Sequence, residues 1–121
     1  MAKKILIAED DTALLKALNL KLSNLGFAVD VAHDGEEALS LLKRQHYDLL
    51  LLDLMMPQLD GFAVLAELQH SKKKPIIFVN SNLSQSTDRD KALKLGADEF
   101  LVKADISLKE ITEKIKKALK E

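Results

Sequence analysis

Two rhythms of apolar residues alternate along the chain. Short unbroken apolar blocks are followed by longer stretches in which apolar residues recur every third or fourth position. A continuous block bounded by polar residues predicts a strand buried on both faces, as in a parallel sheet. The three-to-four spacing predicts an amphipathic helix. On this reading Lys4-Ile5-Leu6-Ile7-Ala8 is a first strand. Residues 12–25 form a first helix, with Leu14, Leu15, Leu18, Leu22 and Leu25 as its apolar positions and Gly26 ending it. Residues 27–32 alternate weakly and predict a second strand. Residues 34–43 predict a second helix, with acidic residues in the first turn where they suit the helix dipole.

The third block is the longest. Leu49-Leu50-Leu51-Leu52 runs unbroken into a carboxylate, Asp53, and then Leu54-Met55-Met56-Pro57. Residues 62–70 predict a third helix, 75–80 a fourth strand, 81–87 a polar loop, and 88–95 a short helix closed by Gly96. Residues 99–103 predict a fifth strand with a lysine at its carboxyl end. Ser107 caps a last helix, with Glu110 at its third position completing a capping box, and apolar positions Leu108, Ile111, Ile115, Ala118 and Leu119. Five strands alternating with five helices through short connections imply right-handed crossovers and a parallel sheet covered on both faces. The expected architecture is one doubly wound α/β domain over residues 1–121.

Composition narrows the function classes. The chain has 121 residues, enough to bury a core without disulfides or metals. It carries 18 basic and 19 acidic residues, a net charge of −1, which argues against a nucleic-acid footprint on this domain itself. It has no cysteine, which removes thiolate chemistry. Met1-Ala2-Lys3-Lys4 precedes only a short apolar stretch, so no signal peptide is read, and no apolar run approaches the ~20 residues that span a bilayer. A cytoplasmic protein without membrane contact is the expectation.

The chemistry lies in what the strands end on. The first ends in Glu9-Asp10, the third in Asp53, the fourth in Asn80-Ser81 and the fifth in Lys103. In an open α/β sheet these ends share one edge, where ligands bind. Carboxylates gathered there suit Mg²⁺, a hard ion that takes oxygen ligands and would keep the acids ionised against their mutual repulsion. Asp53 could then attack phosphorus as a nucleophile, with Mg²⁺ and Lys103 offsetting charge on the transferring group. Each residue also has a plainer reading. Glu9-Asp10 could be a solvated turn, Lys103 a surface lysine, and Phe100 ordinary core. Asp11 reads as a helix-start residue, and His33, His46 and His70 as surface histidines without metal spacing.

Together, Glu9-Asp10, Asp53-Leu54-Met55-Met56-Pro57 through Asp60-Gly61, Ser81 and Lys103 resemble a response-regulator receiver domain, over essentially the whole chain. The resemblance implies a flavodoxin-like fold with strand order 2-1-3-4-5. It implies that Asp53 accepts a phosphoryl group from a histidine kinase or phosphotransfer protein. It further implies that Glu9, Asp10, Asp53 and the Met55 backbone carbonyl hold Mg²⁺ and that Lys103 contacts the phosphoryl group. A hydroxyl at the end of the fourth strand would move to bond that group, and Phe100 would swing inward in step. A downstream protein or a second copy would bind the face made by the fourth helix, fifth strand and fifth helix.

Two positions depart from the pattern. Counting from Pro75, the fourth-strand switch position falls on Asn80; counting from Lys103 or Asp53 it falls on Ser81, which we favour because a hydroxyl both donates and accepts. Ala104 stands where the family usually has a cis proline, so a trans Lys103–Ala104 bond and an altered loop are expected. Two other functions compete. A phosphate-processing enzyme with an aspartyl nucleophile would want a second acid two residues on, where this chain has Met55. A phosphorylation-independent pseudo-receiver would share the fold without the chemistry.

Overall fold

The computed structural model describes residues 2–83 and 85–120. Met1, Glu121 and Ser84, the last within the expected 81–87 loop, lie outside the described residues. The strands are β1 (Lys4–Ala8), β2 (Ala28–Ala32), β3 (Leu49–Leu52), β4 (Ile76–Ser81) and β5 (Glu99–Val102). The helices are α1 (Thr12–Asn24), α2 (Gly35–Arg44), α3 (Gly61–Leu68), α4 (Ser86–Lys94) and α5 (Leu108–Ala118). All strand pairs are parallel and the order is β2-β1-β3-β4-β5, as expected.

Alternation along each strand divides the core in two. Leu6, Ala8, Leu50, Leu52, Ile77 and Val79 point to one face, where Ala38 of α2, Val64 and Leu65 of α3 and Ala92 of α4 cover them. Ile5, Ile7, Leu49, Leu51, Phe78 and Leu101 point to the other, under Leu15, Leu18 and Leu22 of α1 and Ile111 and Ile115 of α5. The four leucines of β3 are at most 2% exposed, and burying each contributes roughly 1.5–3 kcal/mol. An apolar block without alternation is what a central strand with both faces covered requires.

Side-chain caps set most helix starts. Asp11 Oδ1 accepts from the Ala13 and Leu14 N–H groups at 3.1 and 3.2 Å, so Asp11 is the helix-start residue expected. Asp34 and Asp60 accept from Glu37 N and Ala63 N at 2.8 and 2.9 Å. Ser107 and Glu110 form the capping box. α4, which starts at Ser86, has Gln85 as its cap residue and no side-chain capping hydrogen bond.

Several expected boundaries move. α1 stops at Asn24, and Leu25 is a 45% exposed cap residue rather than part of the buried stripe, because Gly26 at φ 96° turns the chain away. The second strand begins at Ala28 and not at 27. α2 runs one residue beyond 43, with Asp34 as its cap. α3 covers 61–68 and not 62–70, since Asp60 caps it and Gln69 closes it. Pro75, with no N–H to donate, precedes β4, which runs on to Ser81 through pairing with Val102. The expected 81–87 loop is therefore shorter at both ends: α4 begins at Ser86, two residues before the 88–95 expected, and stops at Lys94. Its first turn is all polar and gives apolar periodicity nothing to register. β5 stops at Val102, and Lys103–Asp105 form one 3₁₀ turn. The described residues contain no cis peptide bond. No helix among them is long and apolar enough to cross a membrane.

Candidate functional site

The site stands where the ladder continues one residue past the strands. The Glu9 N–H donates to the Ala32 carbonyl at 3.0 Å, and the Asp53 N–H to the Ala8 carbonyl at 2.9 Å. These bonds bring Glu9 and Asp53 side by side above β1 and β3. Because Leu52 pairs with Val79, and Val79 with Phe100, the next row holds Asp53, Asn80 and Leu101. Alternation turns these side chains to the α1/α5 face.

Lys103 bridges the acids. Its ammonium lies 2.7 and 2.9 Å from the two Glu9 carboxylate oxygens and 3.2 Å from Asp53 Oδ2. Glu9 and Asp53 are 2% and 4% exposed, while Asp10 is exposed. Glu9 Oε2 also accepts the Asp11 N–H at 3.1 Å, and Asp53 Oδ1 accepts the Met55 N–H at 3.2 Å. Burial pushes the Glu9 carboxyl up to about 7, with the Asp53 charge adding to it, against the lowering by Lys103 and the Asp11 amide. Burial likewise raises Asp53, opposed by Lys103 and the Met55 N–H. Burial works to lower Lys103, yet the two carboxylates hold it above its ordinary value. One ammonium among two buried acids leaves the group short of positive charge.

A cation would meet that shortage. Glu9, Asp10 and Asp53 each offer a carboxylate oxygen, all within 4.8 Å of one another. Three hard oxygen donors, two of them buried, fit a divalent ion such as Mg²⁺ by their chemistry. The loop after Asp53 returns tightly onto the backbone of Asp53 and Leu54. The Gly61 N–H donates to the Leu54 carbonyl at 3.0 Å, and a Cβ on Gly61 would come within 2.5 Å of the Asp53 carbonyl oxygen. The Met55 side chain is 56% exposed, so the entrance beside Asp53 has an apolar wall.

The remaining expected residues lie apart. Ser81 is fully buried, and its Oγ accepts the Leu83 N–H at 3.3 Å. It pairs with Val102 and so faces the α4 side with Phe100, which is half-buried against that core. Among the described residues no hydrogen bond links Ser81 to Asp53 or Lys103. His33 lies 3.2 Å from Glu37, and His46 3.6 Å from Asp48, both exposed, and among the described residues neither makes an ion pair with Glu9, Asp10 or Asp53. The direct Lys103–Glu9 contact was not foreseen. Asn80, the alternative fourth-strand position counted from Pro75, is the β4 residue that falls in the Asp53 row.

The family model for the response regulator receiver domain matches residues 5–116. The chain belongs to that family. Its receiver fold is similar to the receiver domain of the Francisella response regulator 1452, at TM-score 0.90 and 31% identity, over 98% of this chain and 97% of that one. It is also similar to a CheY-like receiver domain protein from Methanospirillum hungatei, at TM-score 0.92 and 26% identity, over 99% and 95%. In sequence it is 44% identical over 118 residues to a probable transcriptional regulator, ycf27, of Porphyridium aerugineum. That match covers 98% of this receiver but only 48% of the relative, so the chain spans about half the relative's length. Membership places the receiver in two-component signalling.

Proposed function

We propose that this receiver is a phosphoacceptor switched by modification of Asp53. The carrying observation is the buried Asp53 carboxylate, gathered with Glu9 and Asp10 within 4.8 Å and held 3.2 Å from the Lys103 ammonium. An Asp53 oxygen attacks the phosphorus of a phosphohistidine on a histidine kinase or phosphotransfer protein. A P–O bond forms, the P–N bond breaks, and the imidazole nitrogen leaves with the electron pair and takes up a proton. Lys103 sits beside the attacked group and offsets charge on its oxygens. Glu9, Asp10, Asp53 and the Met55 carbonyl would hold Mg²⁺, which supplies further charge neutralisation there. Water later attacks that phosphorus, the bond from phosphorus to the Asp53 oxygen breaks, and inorganic phosphate leaves with the carboxylate restored, so the chemistry is confined to the protein's own Asp53.

Modification adds about −1.5 to −2 charge in one crevice and biases a two-state equilibrium. Ser81 supplies the hydroxyl that responds, and Phe100, on the same face of the neighbouring strand, moves with it. The readout is the surface of α4, β5 and α5, met by a protein partner or a second copy. The name of the Porphyridium relative supports an output in transcription, exerted through protein contacts of this domain.

Intact-mass spectrometry after incubation with acetyl phosphate tests the reading. One phosphoryl adduct that needs Mg²⁺ and disappears in Asp53→Asn is expected. No adduct from several phosphodonors, together with no Mg²⁺ binding, would instead make this a phosphorylation-independent interaction module.

A further inference from the structure

Asn80 is 2% exposed, yet its carboxamide oxygen has no hydrogen-bond partner among the described residues. A buried acceptor left unpaired is unfavourable, and native structures rarely keep one without a use for it. Its place in the sheet supplies one. Asn80 is the β4 residue in the Asp53 row, on the same face. Lys103 follows β5, and β4 lies between β5 and β3. To reach Asp53 and Glu9, the Lys103 side chain must cross the end of β4, on the face where Asn80 projects.

We propose that Asn80 is a positioning residue that receives the Lys103 ammonium when Lys103 gives up Glu9. The inference rests on the phosphoacceptor reading of Asp53. As the structure stands, Lys103 spends its N–H donors on the same carboxylates that would ligate a cation. A dication on those oxygens repels the ammonium and competes for their lone pairs. Lys103 is only 16% exposed, so it cannot retreat fully into water. The orphaned Asn80 oxygen, on the strand beneath it, accepts the freed N–H. Lys103 thereby stays beside Asp53, with its other donors turned toward the incoming phosphoryl group. Asn80 touches neither phosphorus nor cation in this scheme; it acts through Lys103.

A double-mutant cycle on the intact chain tests this, with Mg²⁺ alone as the probe. Calorimetric titration is run on the wild type, Asn80→Leu, Lys103→Met and the double variant. Asn80→Leu removes the acceptor at similar size, and a thermal melt checks each fold. Loss of one hydrogen bond to a charged group predicts about tenfold weaker Mg²⁺ binding in Asn80→Leu. In the Lys103→Met background the same change should have no effect. A second readout needs no change at Asn80. Its side-chain carboxamide resonances should shift on Mg²⁺ addition in the wild type and stay unmoved in Lys103→Met. Unchanged affinity in Asn80→Leu, an equal loss in both backgrounds, or a carboxamide shift that survives Lys103→Met would overturn the proposal. A wild type that takes acetyl phosphate normally while the cycle is additive would sink this inference alone. A wild type that neither binds Mg²⁺ nor takes phosphate would sink both readings.

Discussion

The Lys103 ammonium lies 2.7 Å from the Glu9 carboxylate, 94 residues earlier in the chain, and the contact crosses the sheet from β5 to β1. It makes Lys103 the counter-charge for both buried acids at once. Removing it leaves two carboxylates with little access to water. Lys103→Met is expected to lower stability in Mg²⁺-free buffer by about 3–5 kcal/mol, the usual cost of orphaning a buried ion-pair partner. Millimolar Mg²⁺ should restore much of that loss. Urea unfolding with and without Mg²⁺ measures both, and a variant as stable as the wild type in EDTA would count against the pairing.

The raised Glu9 carboxyl gives stability a definite pH dependence. Its folded value of about 7 exceeds the ordinary 4.5, so the folded state binds the proton more tightly than the unfolded one. That contribution is present in full below the unfolded value and is lost as pH rises through the folded one. Melting temperature in EDTA should therefore fall between about pH 5 and pH 8. Glu9→Gln, which cannot titrate, should flatten the slope over the same range.

Gly61 places the backbone of α3 against that of Asp53 and Leu54. A Cβ there would stand 2.5 Å from the Asp53 carbonyl oxygen and 2.7 Å from Leu54 Cα, both backbone atoms that cannot swing away. Gly61→Ala should cost about 1–3 kcal/mol through overpacking. Because the displaced atoms belong to Asp53 and its neighbour, acetyl phosphate labelling should slow as well. Equal stability and equal labelling in the variant would contradict the close approach.

α4 is the least anchored helix of the described residues. It buries Ala92 alone, and its cap residue, Gln85, gives no side-chain hydrogen bond. Gln85→Ser, supplying an oxygen for the first-turn N–H groups, should stabilise by roughly 0.5–1 kcal/mol. Amide hydrogen exchange should slow first within 86–94. If α4 takes part in the switch, as proposed, the stiffened helix should also respond less to phosphorylation.

Much of the fold was legible in residue order. Both faces of a central parallel strand are dry, so Leu49-Leu50-Leu51-Leu52 could not hide. Capping residues are local, so Asp11, Asp34 and Ser107 could be read as starts. The start of α4 could not, because its first turn is polar and uncapped. The end of α1 was misread because Leu25 continues the apolar spacing after the chain has begun to turn.

The sequence by itself determined five strands, five helices and the identities of the groups at the strand ends, because those depend on apolar runs and on chemistry carried residue by residue. Which groups meet was decided by the tertiary structure. Strand order sets β4 between β3 and β5, and register sets Asn80, rather than Ser81, in the Asp53 row. A slip of one residue would exchange their faces. The Lys103–Glu9 contact likewise exists only once β1 and β5 are fixed in one sheet. Burial then raises both acids and gives them a need for positive charge that no isolated stretch of the chain could show.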